Sequence, residues 1–510
     1  MKRYLVGVDL GTSATKAAIY TTDGELVAEA GVEVPLYYPK PGVVEQENDD
    51  FYTSAAQSVQ RCITASSIDP RAIAAIAFDS QMAGIGTVDE DFRPATRFDS
   101  WLDMRCQPYI EHMETQGELV TRTTGCPPTC DAGPKMLWWQ GERPDEFRRI
   151  AKFVVPAGYV AGRMADLRGD QAFIDHTFVH FSGFIDAQRG VWSQELCAAF
   201  GLDPSKLARI VAPSDIIGEV SEQAARDFGL MPGTPIAAGA GDTAAGALGA
   251  GIVRAGMLFD TAGTAAVLAA CTDTYMPDVQ HRALLMMRSI IPGLWHPLAY
   301  TAGGGLALRW FRDNFYNTLR GAPQSLDSDL YGDLIAQAAS VSPGAEGLFF
   351  SPHLGGRICP SNPDMRGVWT GFSWKHTQAH FARAILEGIA FEYAYYLRIL
   401  RDLLPNLSLS EARVIGGGAR SPIWNQIKAD VLNVPYQRLH RSEFATWGCA
   451  LIAGHAVGIF PDLAEAATRT TALDGAAIAP MQHAAYAPLV DQYMAWQEVF
   501  STAFRTIPQQ

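Results

Sequence analysis

The chain has 510 residues, of which 48% are hydrophobic and 18% charged, and 54 acidic against 40 basic residues give it a formal net charge of −14. This length exceeds what one hydrophobic core can organise, so the sequence predicts two large domains. The acidic balance argues against nucleic acid or an anionic membrane surface as a partner. No stretch approaches the roughly 18 unbroken apolar residues that span a bilayer, so we expect a cytoplasmic protein.

The eight cysteines are scattered along the chain. Cys126 and Cys130 are four residues apart, but no second pair and no histidine partner stands at a spacing typical of zinc sites. The pattern therefore predicts buried or idle thiols. The surrounding stretch 127–134 is rich in proline and glycine and predicts a surface loop.

The first segment predicts two strands joined by a tight turn, because YLVGVDL and ATKAAIY flank the polar, glycine-containing residues 11–13. The segment MLFDTAGTAAVLAAC repeats this pattern, with a strand through Asp260 and a turn at 263–264. Matching Asp9 with Asp260 and the two turns with each other gives offsets of 251 and 252, close to half the chain. An internal duplication explains the repeat, although similar turns between unrelated strands are common.

Strands and helices are predicted to alternate through the rest of the chain. AIAAIAF, FVVPA, TPIAAGAG and ARVIGGG indicate strands. The clearest helix covers about 377–403, where Phe381, Ile385, Ile389 and Tyr393 form an apolar stripe that should face a core. This alternation predicts an α/β fold.

The two predicted turns have the residues needed to bind phosphate. Backbone N–H groups of glycine and adjacent hydroxyls can surround an anion, and the turns supply Gly11, Thr12, Ser13, Gly263 and Thr264. Facing each other across a cleft, they would hold consecutive phosphates of one nucleotide, and Asp9 at its strand end would hold Mg²⁺. Plain turns and a turn-capping aspartate are the alternatives.

A glycine-rich stretch at 236–249 follows a predicted strand and begins a predicted helix, with Asp242 at the junction. Ligands of α/β proteins bind at the carboxyl ends of strands, so this carboxylate is placed to accept a proton from an attacking hydroxyl. A helix-capping aspartate fits equally well. The same stretch contains Gly239-x-Gly241-x-x-Ala244, a weak match to dinucleotide-binding turns that would indicate a nicotinamide enzyme.

A third glycine turn, at 416–418, stands between a predicted strand and an amphipathic helix. Such a turn can lie against an adenine ring or admit a phosphate at the helix N-terminus, and Asn425 would then reach a base or ribose edge. A tight turn without a ligand is equally consistent with the sequence.

In order and spacing, VGVDLGTSATKAAIY, the glycine-rich segment around Asp242, the turn at 263–264 and VIGGGARSPIWNQIKAD resemble the FGGY carbohydrate kinases over nearly the whole chain. The resemblance implies two duplicated ribonuclease-H-like domains of the actin, hexokinase and Hsp70 superfamily around a cleft, with sugar bound by 1–248 and ATP by 249–510. It implies ATP-dependent phosphorylation of a sugar hydroxyl with Mg²⁺. An actin- or Hsp70-like ATPase that acts by partner binding remains the alternative from another class.

Within this family the chain is most similar to the xylulokinase branch, whose sugar loop reads Gln-Met-His-Gly. Here the loop reads Gln81-Met82-Ala83-Gly84, so alanine replaces an imidazole that would contact a sugar hydroxyl. The resemblance favours a pentulose such as D-xylulose, with ribulose, gluconate, glycerol or a tetritol as alternatives.

The resemblance also implies individual roles, with Asp242 as the catalytic base and Asp9 beside Mg²⁺. Implied on the sugar side, with Asp242, are Gln81, Met82, Ala83, Trp101, Asp103 and Asp175. Implied on the ATP side are Gly11, Thr12, Ser13, Gly263, Thr264, Gly304, Gly417, Gly418 and Asn425. Whether the protein forms a homodimer is left open.

Overall fold

Two mixed seven-stranded β-sheets, one in each half of the chain, organise the computed structural model. The structure describes residues 3–263, 265–316, 330–441 and 443–506. Thr264, predicted to lie in the second phosphate turn, falls outside these residues. Within the same ranges, no helix combines the length and apolar character needed to cross a membrane.

The sheet of the N-terminal half has the strand order β14-β15-β6-β1-β2-β3, with β16 also paired to β6. The strands of this half are β1 Tyr4–Leu10, β2 Ala14–Thr21, β3 Leu26–Glu33, β4 Tyr37–Lys40, β5 Val43–Gln46, β6 Ile73–Ser80, β7 Gly86–Val88, β8 Phe98–Asp99, β9 Lys152–Val154, β10 Phe173–Asp175, β11 Ile185–Asp186, β12 Val191–Trp192, β13 Arg209–Val211, β14 Ile216–Glu219, β15 Pro235–Ala237 and β16 Ala240–Gly241.

The sheet of the C-terminal half has the order β19-β20-β18-β17-β23-β24-β25. The strands of the C-terminal half are β17 Met257–Ala262, β18 Ala266–Ala270, β19 Leu285–Arg288, β20 Trp295–Thr301, β21 Phe349–Ser351, β22 Val368–Thr370, β23 Glu411–Ile415, β24 Tyr436–Leu439 and β25 Leu473–Ile478.

The two sheets share a five-stranded unit. In the first, β3-β2-β1 are antiparallel and β1-β6-β15 are parallel. In the second, β20-β18-β17 are antiparallel and β17-β23-β24 are parallel, in the same spatial order. The predicted duplication and the predicted α/β fold of two ribonuclease-H-like domains are therefore confirmed.

The hairpin registers correct one detail of the predicted repeat. Leu10 pairs with Thr15 before the first turn, and Ala262 pairs with Ala266 before the second. When the two hairpins are aligned on these pairs, the residue equivalent to Asp9 is Thr261 and not Asp260. Side chains alternate between the two faces of a strand, and this shift of one residue turns Asp260 into the core.

The helices cover the faces of the two sheets. They are α1 Asn48–Ser66, α2 Gln107–Glu114, α3 Gly117–Thr124, α4 Ala132–Glu142, α5 Pro144–Arg149, α6 Pro156–Met164, α7 Gln194–Phe200, α8 Glu222–Phe228, α9 Asp242–Gly249, α10 Gly305–Phe311, α11 Leu330–Ala339, α12 Gln378–Leu403, α13 Pro422–Leu432, α14 Phe444–Ala456, α15 Leu463–Thr470 and α16 His483–Thr506. The predicted long helix is α12, whose Ile385, Ile389 and Tyr393 are fully buried.

A buried charged network joins α12 to α16. Glu392 accepts hydrogen bonds from His353 Nε2 at 3.1 Å, Arg357 at 3.0 Å and Tyr493 Oη at 2.8 Å. Although burial opposes its charge, these partners lower the pKa of Glu392 to about 2. The carboxylate therefore stays ionised inside the C-terminal core.

Helices α9 and α14 cross closely between the two halves. A Cβ at Gly249 would lie 2.0 Å from the Phe444 carbonyl oxygen, and one at Gly448 would lie 2.0 Å from the Ala245 carbonyl oxygen. Only glycine permits these backbones to approach so closely. Because α14 also packs on β1 and β6 of the first sheet, a boundary at 248/249 stays a prediction.

The stretch 127–134 is mostly buried and is not the surface loop that its composition predicted. The fully buried Lys135 explains the difference, because its Nζ donates to the carbonyls of Cys130 at 2.9 Å and Asp131 at 3.4 Å. These bonds hold the segment against the rest of the domain.

Candidate active site

Three carboxyl groups meet where neighbouring strands of the first sheet end. Asp9 near the end of β1 is directly opposite Asp79 near the end of the parallel strand β6. Asp242 follows β16, whose Gly241 pairs with Ser80 of β6. Parallel strands end at one edge of a sheet, where α/β proteins bind ligands. The fold thus brings the two acids predicted from sequence together and adds Asp79, which was not predicted.

Burial and their interactions with one another change the pKa values of the three acids. Burial, and then the nearby Asp9 carboxylate, raise the pKa of Asp242 to about 7. Burial raises the pKa of Asp9, and burial together with Asp9 raises that of Asp79 well above its usual range. A group that exchanges a proton near neutral pH suits general base chemistry.

The backbone around Asp242 bears on the alternatives left by the sequence. Gly241 is the N-cap of α9, and Asp242 Oδ1 accepts from the Thr243 N–H at 2.6 Å. No hydrogen bond reaches Asp242 Oδ2 from the described residues. Gly239 has φ +83°, and a Cβ there would lie 1.8 Å from the Phe78 carbonyl oxygen. Packing against the protein's own sheet therefore accounts for the glycine that resembled a dinucleotide turn.

Asp175 supports, from inside the domain, the segment that carries Asp242. Its Oδ1 accepts from Thr177 Oγ1 at 2.6 Å and from the Thr177 N–H at 2.8 Å. Thr177 Oγ1 in turn accepts from the Gly241 N–H at 2.8 Å. Asp175 is only 2% exposed and is held by these hydrogen bonds, and its contact with the sugar stays a prediction.

The first phosphate turn is tied to the predicted sugar loop. Thr12 Oγ1 accepts from Trp101 Nε1 at 3.0 Å and lies 3.4 Å from Gln81 Oε1. Gln81 Nε2 donates to Gln46 Oε1 at 2.8 Å, and Gln46 Nε2 donates to the Thr12 carbonyl at 3.0 Å. A displacement of either segment is therefore transmitted to the other.

Met82 and Ala83 lie half-buried at the tip of the sugar loop. A Cβ at Gly241 would lie 2.7 Å from Met82 Sδ, so this loop packs directly against the segment that carries Asp242. Ala83 has φ +62°, a left-handed conformation in which histidine is more frequent than most residues. Its carbonyl accepts from Lys135 Nζ at 3.3 Å.

Asp103 is hydrogen-bonded within the protein, and its predicted role in sugar binding stays a prediction. It is fully buried, and its carboxylate accepts from the Val44 N–H at 2.7 Å and from Arg105 Nε at 2.9 and 3.0 Å. Arg105 also binds Glu45 Oε1 at 2.6 Å. Both Asp103 oxygens are therefore occupied within the protein.

The remaining predicted phosphate residues lie on the two hairpin turns. A Cβ at Gly11 would approach the Ala14 carbonyl oxygen to 2.9 Å, and the exposed Ser13 accepts from the Val34 N–H at 2.9 Å through its carbonyl. On the other side, the Gly263 carbonyl accepts from the Gly305 N–H at 2.8 Å. Gly304 is the N-cap of α10, where a Cβ would lie 2.6 Å from Ala266 N.

A cavity of about 750 Å³ opens beside the second turn. Its lining includes Gly263, Gly417 and Gly418, with Trp424 on one wall and Tyr331 of α11 among the remaining residues. A volume of this size accommodates a nucleotide-sized ligand. The two glycine segments predicted to contact ATP therefore share one cavity.

Asn425 does not line that cavity and is fully buried beneath the glycine turn. Its Nδ2 donates to the Ala419 carbonyl at 2.8 Å. This bond ties the side chain to the turn, and the predicted contact with a base or ribose stays a prediction.

The donor set around Asp9 fits Mg²⁺ only in part. Among the described residues no group of three or more His, Cys, Asp or Glu side chains forms a ready metal site. Mg²⁺, however, is commonly held by one or two carboxylates together with substrate phosphates and water. Asp9 and the buried Asp79, whose Oδ1 has no hydrogen-bond partner in the described part of the chain, supply such carboxyl oxygens.

The duplicated fold, the acids at the strand ends and the cavity between glycine turns define a phosphotransferase that uses ATP. The family model described as the FGGY family of carbohydrate kinases, N-terminal domain, matches residues 4–249, and its C-terminal counterpart matches 259–457. The chain belongs to the FGGY family and is a carbohydrate kinase.

Relatives within the family carry different substrate names. A xylulose kinase of Bacillus subtilis (strain 168) is 27% identical over 468 residues, covering 91% of this chain and 90% of that protein. A gluconokinase of the same organism is also 27% identical, over 463 residues, with coverages of 90% and 88%. The crystal structure of a xylulose kinase from Rhodospirillum rubrum matches with TM-score 0.88 and 25% identity, covering 99% of this chain and all of that one.

Sequence reasoning missed Asp79 and Thr177. Asp79 ends the buried strand AIAAIAFDS directly before the sugar loop, so an acid at the end of an otherwise apolar strand was the available signal. Thr177 had no such signal, because only the fold brings it to Gly241.

Proposed function

We propose that the protein transfers the γ-phosphoryl group of ATP to a hydroxyl of a pentulose such as D-xylulose. The observation that carries this proposal is the convergence of Asp9, Asp79 and Asp242 at one sheet edge, with the loop of Met82 packed against Gly241. That arrangement supports a base beside a loop that would contact a small polar substrate.

Asp242 acts as the general base. Its pKa of about 7 lets it accept the proton from the sugar hydroxyl near neutral pH. As that proton moves to Asp242, the hydroxyl oxygen forms a bond to the γ-phosphorus, and the bond from phosphorus to the bridging oxygen of ADP breaks. Asp175 and Thr177 keep the catalytic loop in register through the Gly241 N–H.

The phosphates are held from both halves. Gly11, Thr12 and Ser13 contact them from 1–248, while Gly263 contacts them from 249–510, beside the cavity proposed to bind the adenosine part of ATP. Thr264, outside the described residues, keeps its sequence-based assignment to the second turn. Asp9 would hold Mg²⁺, which would neutralise charge that develops on the phosphates. Sugar binding draws the two halves together and excludes water that would otherwise attack ATP.

D-xylulose is proposed for the sugar because of the similarity to xylulose kinases in sequence and fold. Gluconate is the second candidate, since a gluconokinase is equally similar. Ala83 lacks the imidazole of the xylulokinase loop, and ribulose, glycerol and a tetritol remain in the same set of alternatives. A homodimer is compatible with each of them.

The test is ADP release from MgATP by the full chain, measured with D-xylulose, D-ribulose, D-gluconate, glycerol and erythritol and without sugar. The phosphorylated product is then identified by ³¹P and ¹³C NMR. We expect the highest kcat/KM with D-xylulose. A higher kcat/KM with gluconate would make gluconate the substrate in place of D-xylulose. A rate of ADP release that no sugar changes contradicts the proposed reaction.

A further inference from the structure

Two cysteines and a lysine lie together behind the sugar loop. Cys106, just before α2, and Cys130, just before α4, have their Sγ atoms 3.9 Å apart. Lys135 Nζ is 3.7 Å from Cys130 Sγ. Of the eight cysteines, Cys130 is the half-buried one and the other seven are buried.

The surroundings make the two thiols chemically unequal. Cys130 has its pKa lowered to about 7, first by its hydrogen bond with Cys106 and also by the Lys135 ammonium. The pKa of Cys106 is raised by the same hydrogen bond and by burial. The accessible thiol is thus the one with thiolate character, and reactivity toward oxidants follows exposure and thiolate fraction.

We propose that Cys106 and Cys130 form a reversible disulfide modification site that reacts with peroxides and weakens sugar binding. The Cys130 thiolate attacks one oxygen of hydrogen peroxide, forming a sulfenic acid and releasing hydroxide. Cys106 then attacks the sulfenic sulfur, the S–S bond forms, and water leaves. Two thiols are oxidised and one peroxide is reduced to two water molecules, and a dithiol reductant reverses the change.

The link to the sugar loop runs through short contacts. In its thiol form, Cys130 Sγ donates to the Asp103 carbonyl at 2.7 Å, in the segment that carries Trp101. Lys135 Nζ bonds the carbonyls of both Cys130 and Ala83. A disulfide requires an S–S distance of about 2.05 Å, so the sulfurs must approach by almost half their present separation. That movement breaks the contact with Asp103 and shifts the lysine that holds Ala83.

The kinetic consequence rests on the proposed sugar loop, whereas the chemistry of the thiols does not. A displacement of about 1 Å in a positioning segment can cost roughly 100-fold in rate. We expect oxidation to raise the sugar KM by about 10- to 100-fold and to raise the ATP KM less, because the cavity proposed for adenosine lies in the other half and only the first phosphate turn is tied to the sugar loop.

The experiment treats the reduced full chain with hydrogen peroxide and measures intact mass, free thiols and linked peptides. Three variants are treated alongside: Cys130→Ser, Cys106→Ser and, as a matched control, Cys126→Ser at a buried neighbouring cysteine. We expect wild type and Cys126→Ser to lose two thiols and to link 106 with 130, reversibly with dithiothreitol. Cys106→Ser should stop at a sulfenic acid that dimedone traps at Cys130, and Cys130→Ser should not form this link.

Each contrary result has a distinct meaning. If peroxide leaves both thiols free, or links other cysteines, the proposed modification site is wrong. This conclusion does not depend on which substrate the protein phosphorylates. A 106–130 disulfide that leaves the sugar KM unchanged overturns its coupling to the sugar loop. Thermal unfolding of each reduced variant confirms that the chains compared are folded.

Discussion

Substituting Gly418 by alanine tests whether the cavity at the glycine turn binds ATP. A Cβ at Gly418 lies 2.4 Å from Trp424 Cζ3 and 2.7 Å from Ala262 Cβ. Carbon atoms prefer separations near 3.5 Å, so these groups must move apart by about 1 Å, at a cost of about 1–3 kcal/mol. Because Trp424 and Ala262 both line the cavity, the strain falls on its walls. We expect Gly418→Ala to raise the ATP KM by about 5- to 150-fold with the sugar KM unchanged.

Gly417→Ala is the companion variant: a Cβ there meets no protein atom within 4 Å, so it adds a methyl group to the cavity lining without straining the walls. The two variants add the same methyl group to adjacent positions of one turn. The assay is ADP release at varied ATP with saturating sugar, supported by calorimetric ATP binding and a thermal unfolding curve for each variant. Wild-type ATP affinity in folded Gly418→Ala refutes this placement of the nucleotide.

Three further substitutions test separate parts of the structure. Because its folded pKa is about 2 against an ordinary 4.5, Glu392 contributes about 3 kcal/mol above pH 4.5, and this is lost as the pH falls toward 2. In urea unfolding, Glu392→Gln should lower the free energy of unfolding by this amount at pH 7 and by less near pH 3. The exposed control Glu498→Gln should match wild type. A loss in Glu392→Gln that does not change with pH contradicts an ionised Glu392 carboxylate. Trp101→Phe removes the N–H that reaches Thr12 and should lower kcat/KM by about 2- to 12-fold; an unchanged value shows that this bond is unimportant in catalysis. Ala83→His should change the ratio of kcat/KM for D-xylulose and gluconate without altering the ATP KM, and a constant ratio shows that this position does not select the sugar.

Local pattern was enough to predict the elements that position the site. The turns at 11–13 and 263–264 stood between apolar strands, and the stripe from Ile385 to Tyr393 had helical spacing. Asp242 was recognisable because a glycine-rich strand end leads into a helix there. These features depend on residues near one another in sequence, where propensity and spacing are most informative.

The parts that could not be predicted depend on contacts across the fold. The sequence did not show that Arg105 and the Val44 N–H bond both oxygens of Asp103. Asn425 likewise lies beneath its turn. Successive residues of a helix point about 100° apart, so the sequence position alone did not show which way this side chain points. The one-residue register difference between the hairpins turned Asp260 inward, where it meets Lys428.

The most direct test of the account compares sugar-dependent ADP release by wild type and Asp242→Asn, with ATP binding to both measured by calorimetry. Asparagine keeps the size of the side chain but cannot accept the hydroxyl proton as a base. We predict that turnover falls by about 10²- to 10⁴-fold while the ATP Kd stays unchanged. Turnover near the wild-type value in Asp242→Asn contradicts the assignment of Asp242 as the catalytic base.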